Sequence, residues 1–113
     1  MSYVDGFVFA VPTARRAEYV AFAQKWWPFF KDLGAIGTKE CWGDDVPDGE
    51  VTSFPLAVQK KEDETVVFSW TVWPDKATRD AAWAKMMEME DMGDMPFDGK
   101  RMIYGGFVPF FES

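Results

Sequence analysis

Histidine and asparagine are absent from this 113-residue chain, and cysteine occurs once. Without imidazole there is no usual proximal haem ligand, none of the common zinc sites, no Ser-His-Asp or Cys-His nucleophile system, and no default acid/base at neutral pH. A single thiol cannot close an internal disulfide, which fits a reducing compartment. No apolar run approaches the roughly 18 residues of a spanning helix, and the first residues lack the basic-then-apolar pattern of a secretory signal. Cations are also scarce. Twelve Lys and Arg against nineteen Asp and Glu leave a formal charge of −7, the wrong sign for nucleic-acid phosphates or an anionic membrane surface. These absences predict a cytoplasmic protein with no membrane partner, no metal and no resident cofactor. Catalysis, if there is any, falls to Asp, Glu, Lys, Arg, Tyr, Ser, Thr or Cys41.

Aromatic residues, by contrast, are abundant. The chain is 48% hydrophobic and 18% aromatic, with six Trp and eleven Phe, which excludes a disordered chain and predicts extensive burial. Residues 1–113 make one domain with one core.

Tyr3 to Val11 reads as a first strand. Tyr3, Phe7, Phe9 and Val11 share one face and Val4, Val8 and Ala10 the other, with only Asp5 and Gly6 interrupting. Pro12-Thr13 opens a helix, with Thr13 as its cap, and Tyr19, Phe22, Ala23, Trp26, Phe30 and Leu33 form its inward stripe. Pro28 predicts a kink or restart, and Gly34 a left-handed end. Ala35 to Gly43 is a second strand with Ile36, Thr38, Glu40 and Trp42 on one face. An acidic loop, Asp44 to Glu50, follows, and its four carboxylates lack the spacing of an EF-hand. Ser53 to Gln59 fits either a strand or a short helix, and Ser53 with Pro55 favours the helix. Thr65 to Trp73 is a third strand, with Val66, Phe68, Trp70 and Val72 opposite Thr65, Ser69 and Thr71. Asp75 caps a second long helix running to about Glu90, whose acidic end opposes the helix dipole and predicts fraying. In the last strand Met102, Tyr104, Val108 and Phe110 point one way and Ile103, Phe107 and Phe111 the other. Gly105 and Gly106 there predict a bulge.

The order strand, helix, strand, strand, helix, strand predicts an α+β, ferredoxin-like βαββαβ sandwich. Its four-stranded antiparallel sheet would carry both helices on one face. Strands apolar on both faces predict that the bare face pairs with a second copy, giving a homodimer through its sheets.

Five stretches resemble one family: Tyr3-Val4-Asp5-Gly6-Phe7, Glu40 to Pro47, Val51 to Pro55, Lys61 to Trp70, and Asp94 to Phe107. The chain is similar, over nearly its whole length, to the YbaA-like bacterial family, domain of unknown function 1428. The resemblance implies a dimeric α+β barrel, and it carries no established reaction. Members are sometimes labelled as linked to the signal recognition particle RNA. A charge of −7 argues against direct contact of this chain with RNA.

Dimeric α+β barrels as a class include cofactor-free monooxygenases and small isomerases, with pockets between sheet and helices. Here that pocket would be lined by Trp26, Phe30, Phe68, Trp70, Trp83 and Tyr104, residues whose spacing is equally that of a packed core. Tyr104, Asp98 and Cys41 are the candidate catalytic groups. Against them stand an ion pair from the group Asp98, Lys100 and Arg101 that ties the loop to the sheet, and an inert thiol with no base at Cys41. The functional expectation is a small-molecule binder or enzyme using an aromatic pocket. Its alternative is a non-catalytic structural or interaction module.

Overall fold

The computed structural model describes residues 2–89 and 95–113. Strand β1 (Tyr3–Pro12) leads through one 3-10 turn (Thr13–Arg15) into helix α1 (Arg16–Asp32). Then come β2 (Gly37–Trp42), a one-turn helix α2 (Phe54–Ala57), β3 (Glu64–Trp73), helix α3 (Lys76–Glu88), a second 3-10 turn (Gly99–Arg101) and β4 (Ile103–Phe107). The strands form one antiparallel sheet in the order β2-β3-β1-β4. The α+β class is therefore as the sequence predicts. The expected fraying at Glu90 and Asp91 falls outside the described residues.

Alternation along β1 and β3 sets up two different faces. Tyr3, Asp5, Phe9 and Val11 of β1, with Val67, Ser69 and Trp73 of β3, are buried beneath α1 and α3. Tyr19 of α1 packs on Phe9, Val11 and Val67, and Ala82 of α3 packs on Tyr3 and Trp73. On the other face Val8, Ala10 and Val66 are covered by Val58, just after α2. That helix exists because Ser53 accepts a hydrogen bond from the Leu56 N–H and Pro55 fits its first turn. The rest of this second face is open. Phe68 is 40% exposed and Phe107 61%, beside half-buried Val4, Trp70 and Val72.

Several local expectations change in the folded chain. Thr13 caps nothing: its hydroxyl meets that of Thr65 at 2.6 Å, and α1 begins at Arg16 without a side-chain cap. Helix α1 passes through Pro28 as one element. Gly34 has the expected positive φ, +113°, and a Cβ there would also collide with Thr78. The last strand is not covered on both sides but lies at the sheet edge, and it stops at Phe107. Its partner β1 begins at Tyr3, opposite Trp73, and Val4 already pairs with Phe107. The pairing ends there, one residue short of the start of β1, and Val108, Phe110 and Phe111 stand exposed. Gly105 and Gly106 form no bulge, since the register with Gly6 and Asp5 is unbroken. Gly106 is needed because the Tyr3 ring lies where its Cβ would be.

The turn before β4 is anchored by Arg101, which donates to both oxygens of buried Glu64 (2.8 and 2.6 Å), to Asp98 (3.0 Å) and to the Gln59 carbonyl (2.9 Å). The guanidinium hydrogen bonds hold the Glu64 carboxyl down at about 2, against an ordinary 4.5. A folded-state pKa below the unfolded one means the pair stabilises fully above the unfolded value and loses its contribution as pH falls through the folded one. Arg101→Leu should lower the unfolding free energy by about 3 kcal/mol at neutral pH, by stranding a buried carboxylate. In urea titrations the gap between the two proteins should narrow as pH falls from about 5 toward 2.

Candidate functional site

The helix-side face holds a buried carboxylate with all its acceptor capacity in use. Asp5, 2% exposed, sits mid-strand on β1 and accepts through Oδ2 from the indole N–H of Trp73 (3.0 Å) and of Trp83 (2.9 Å). Arg79 adds Nε at 3.0 Å and Nη2 at 2.9 Å to Oδ1. The guanidinium in turn lies over the rings of Tyr3 and Trp83, 5.3 and 5.0 Å from their centroids, and donates to Asp80. These partners raise the Arg79 pKa above its ordinary value, the Asp5 hydrogen bond foremost. Helix α3 is what delivers them: Asp75 caps its start through the Thr78 N–H at 2.7 Å, and Arg79 and Trp83, four apart, share the face over β1. A carboxylate so saturated is an anchor, with no lone pair left over to serve as a base.

Beside this anchor lies a cavity of about 310 Å3 between the sheet and the two long helices. Phe22, Phe30, Trp83, Met86 and Phe97 are among its walls, and Ser69, Thr71 and Glu40 bring polar groups to its floor. Glu40 belongs to the outer strand β2 and is exposed as a residue, yet its carboxyl accepts the Tyr19 hydroxyl at 2.5 Å. Burial pushes the Glu40 pKa up, opposed by hydrogen bonds from Tyr19 and Ser69. Burial and the neighbouring carboxylate likewise push the Tyr19 phenol well above its usual range, so Tyr19 keeps its proton and donates.

The sequence-predicted pocket residues are divided between two places. Phe30 and Trp83 line the helix-side cavity. Phe68 and Trp70 lie on the opposite face, where with Tyr104 they border a hollow of about 560 Å3 beside Gly6, Gly105 and Phe107. Alternation correctly groups Phe68 with Trp70, but it does not say which face the helices cover, and they cover the Ser69 and Thr71 side. Trp26 lines neither. Its ring lies against Phe22 and Phe29, and its enclosed indole N–H has no partner. Tyr104 stacks on Trp83 at 5.7 Å but is 60% exposed at the sheet edge. Asp98 is bound to Arg101 within the turn, and Arg101 in turn ties that turn to the sheet through Glu64. Cys41 is half-buried on the second face, opposite Phe68 in register, and Lys39 on that face places its ammonium over Trp70. Among the described residues no three carboxylates or thiols gather to hold a metal.

Neither Asp5 nor Glu40 is among the catalytic or pocket candidates that the sequence offers. Asp5 had a readable signal, because a charge inside a strand apolar on both faces demands a buried partner. Glu40 had none, since it alternates like any residue of an outer strand.

The fold and site thus define an antiparallel α+β domain with an aromatic cavity flanked by a tied-down Asp and a Glu that accepts the Tyr19 hydroxyl. A family model described as a protein of unknown function, DUF1428, matches residues 2–99. The uncharacterized protein YbaA of Escherichia coli strain K12 is 56% identical over 117 residues, covering the whole of both chains. The YbaA protein of Shigella flexneri is identical to the same extent. The chain belongs to the DUF1428 family.

Asp5→Asn puts an amide donor among three donors. It should cost about 3–5 kcal/mol of stability in denaturant unfolding, and the signals of Trp73 and Trp83 should shift together in near-UV circular dichroism.

Proposed function

We propose that the protein is a ferredoxin-like subunit of a dimeric α+β barrel that binds a small, mainly apolar molecule in the cavity between its sheet and its long helices. The observation that carries this is the cavity itself. At about 310 Å3 it falls at the lower end of small-molecule sites, and it combines aromatic walls with a few convergent polar groups, as such sites do. The strand order β2-β3-β1-β4, with both long helices on one face, supports the ferredoxin-like reading. Exposed Phe68, Ile103 and Phe107 on the other face support pairing of two sheets, because a contiguous apolar surface of this kind is costly to leave in water.

The chemistry open to the site is acid–base work by Glu40 on the bound molecule. Asp98 and Cys41 lie outside the cavity, and Tyr104 reaches it only indirectly, through Trp83. The competing reading, a non-catalytic interaction module, draws on the same open sheet face and gives the cavity no role.

Native mass spectrometry of the protein as purified from cells tests this reading. The expected species is a dimer of two 12.9 kDa chains carrying an additional small mass. A bare monomer would contradict it. Phe107→Lys, at a side chain already 61% exposed in one subunit, should keep the far-UV circular dichroism of the fold, convert the dimer to monomer in sedimentation, and lower the melting temperature as loss of a partner requires.

A further inference from the structure

The polar lining of the cavity is unbalanced in one direction. Among its described lining residues the indole and phenol donors are engaged: the indoles of Trp73 and Trp83 on Asp5, and the Tyr19 hydroxyl on Glu40. None of its described lining residues is Lys or Arg, and nearby Arg79 is held by Asp5 and Asp80. The remaining groups are the Glu40 carboxyl and the hydroxyls of Ser69 and Thr71, which can accept. A bound carboxylate or phosphate would meet no cation and a neighbouring acid, and burial of an unpaired charge is strongly disfavoured. A bound ammonium would meet a carboxylate, two hydroxyl oxygens and aromatic walls.

Resting on the cavity reading above, we propose that the ligand is an aromatic or aliphatic amine, its ammonium paired with Glu40 over Ser69 and Thr71 and its apolar body held among Phe22, Phe30 and Trp83. Glu40 acts as the counter-ion and selects for positive charge. Ser69, 3% exposed, lies directly opposite Glu40 in the β2–β3 register and brings its hydroxyl beneath the carboxyl.

Isothermal titration of the full chain with 2-phenylethylamine, 2-phenylethanol and phenylacetate tests this, since the three share one ring and differ in the polar end. The amine should bind about tenfold or more tighter than phenylacetate, with the alcohol between. Glu40→Gln keeps an acceptor for Tyr19, and should bring amine and alcohol within about threefold of each other. Phenylacetate binding as tightly as the amine would overturn the inference while leaving the cavity reading in place, and this comparison needs no variant. Saturable binding of none of the three would overturn both. An amine preference that survives Glu40→Gln unchanged would remove Glu40 from its assigned role and the inference with it.

Discussion

The buried carboxylate of Asp5 is the interaction on which the rest of the helix-side architecture depends. Taking an ionised carboxyl out of water costs several kcal/mol unless partners replace the lost hydration, and here the carboxylate on β1 draws its replacements from two other elements: β3 supplies Trp73, and α3 supplies both Arg79 and Trp83. The hydrogen bonds are directional, so they fix the rotation of α3 about its own axis as well as its distance from the sheet. Apolar packing of Ala82 on Tyr3 and Trp73 would tolerate a range of rotations. Once Arg79 and Trp83 must both reach one side chain, that range closes, and Trp83 is set as a wall of the cavity.

A second buried pair does the corresponding work at the other end of β3. Glu64 and Arg101 bind the start of that strand to the turn preceding β4, and the hydrogen bonds of Arg101 to Asp98 and the Gln59 carbonyl extend the link to the segment after α2. Asp5 and Glu64 carry their charges in opposite contexts. Asp5 is surrounded by aromatic rings, Glu64 by backbone and a turn. Both meet an arginine fork, the cation suited to bidentate pairing with a carboxylate.

Much of this architecture is readable from the residues. Period-two runs place β1 and β3, Asp75 and Ser53 mark the starts of their helices, and the strand–helix order yields the sheet. What resisted reading was the choice of face. In β3 the apolar set Val66, Phe68, Trp70 and Val72 looks like the buried side, yet the helices cover Val67, Ser69, Thr71 and Trp73. Alternation groups residues and leaves the orientation of the strand in the sheet open. The same limit misplaced half of the expected pocket. The length of β4 is illegible for another reason: Val108 and Phe110 continue its pattern perfectly well, and only the folded sheet shows that pairing with β1 ends at Phe107.

The sheet is thin at its centre on both sides, and that is what makes its hollows. On the helix side, the row along β3 passes from Val67 through Ser69 and Thr71 to Trp73, so its middle two residues are small and polar between large ones. Helices held off by Trp73, Phe9 and Tyr19 cannot descend to fill the space above them. On the second face Gly6 and Gly105 pair directly, and the Phe107 ring lies across them, 3.6 and 3.5 Å from where Cβ atoms would stand. Phe7 faces Ser69 in register and Gly6 faces Trp70, so the two hollows lie back to back across the same few residues. A sheet optimised only for its own stability would fill both with branched side chains, as it does at Val8 and Val66. Small and polar groups at the centre, with bulky apolar groups around them, give up packing energy that single-chain folding would otherwise gain. One hollow faces the helices and the other faces outward, and the reading of a ligand in the first and a second sheet over the other assigns each sacrifice an occupant.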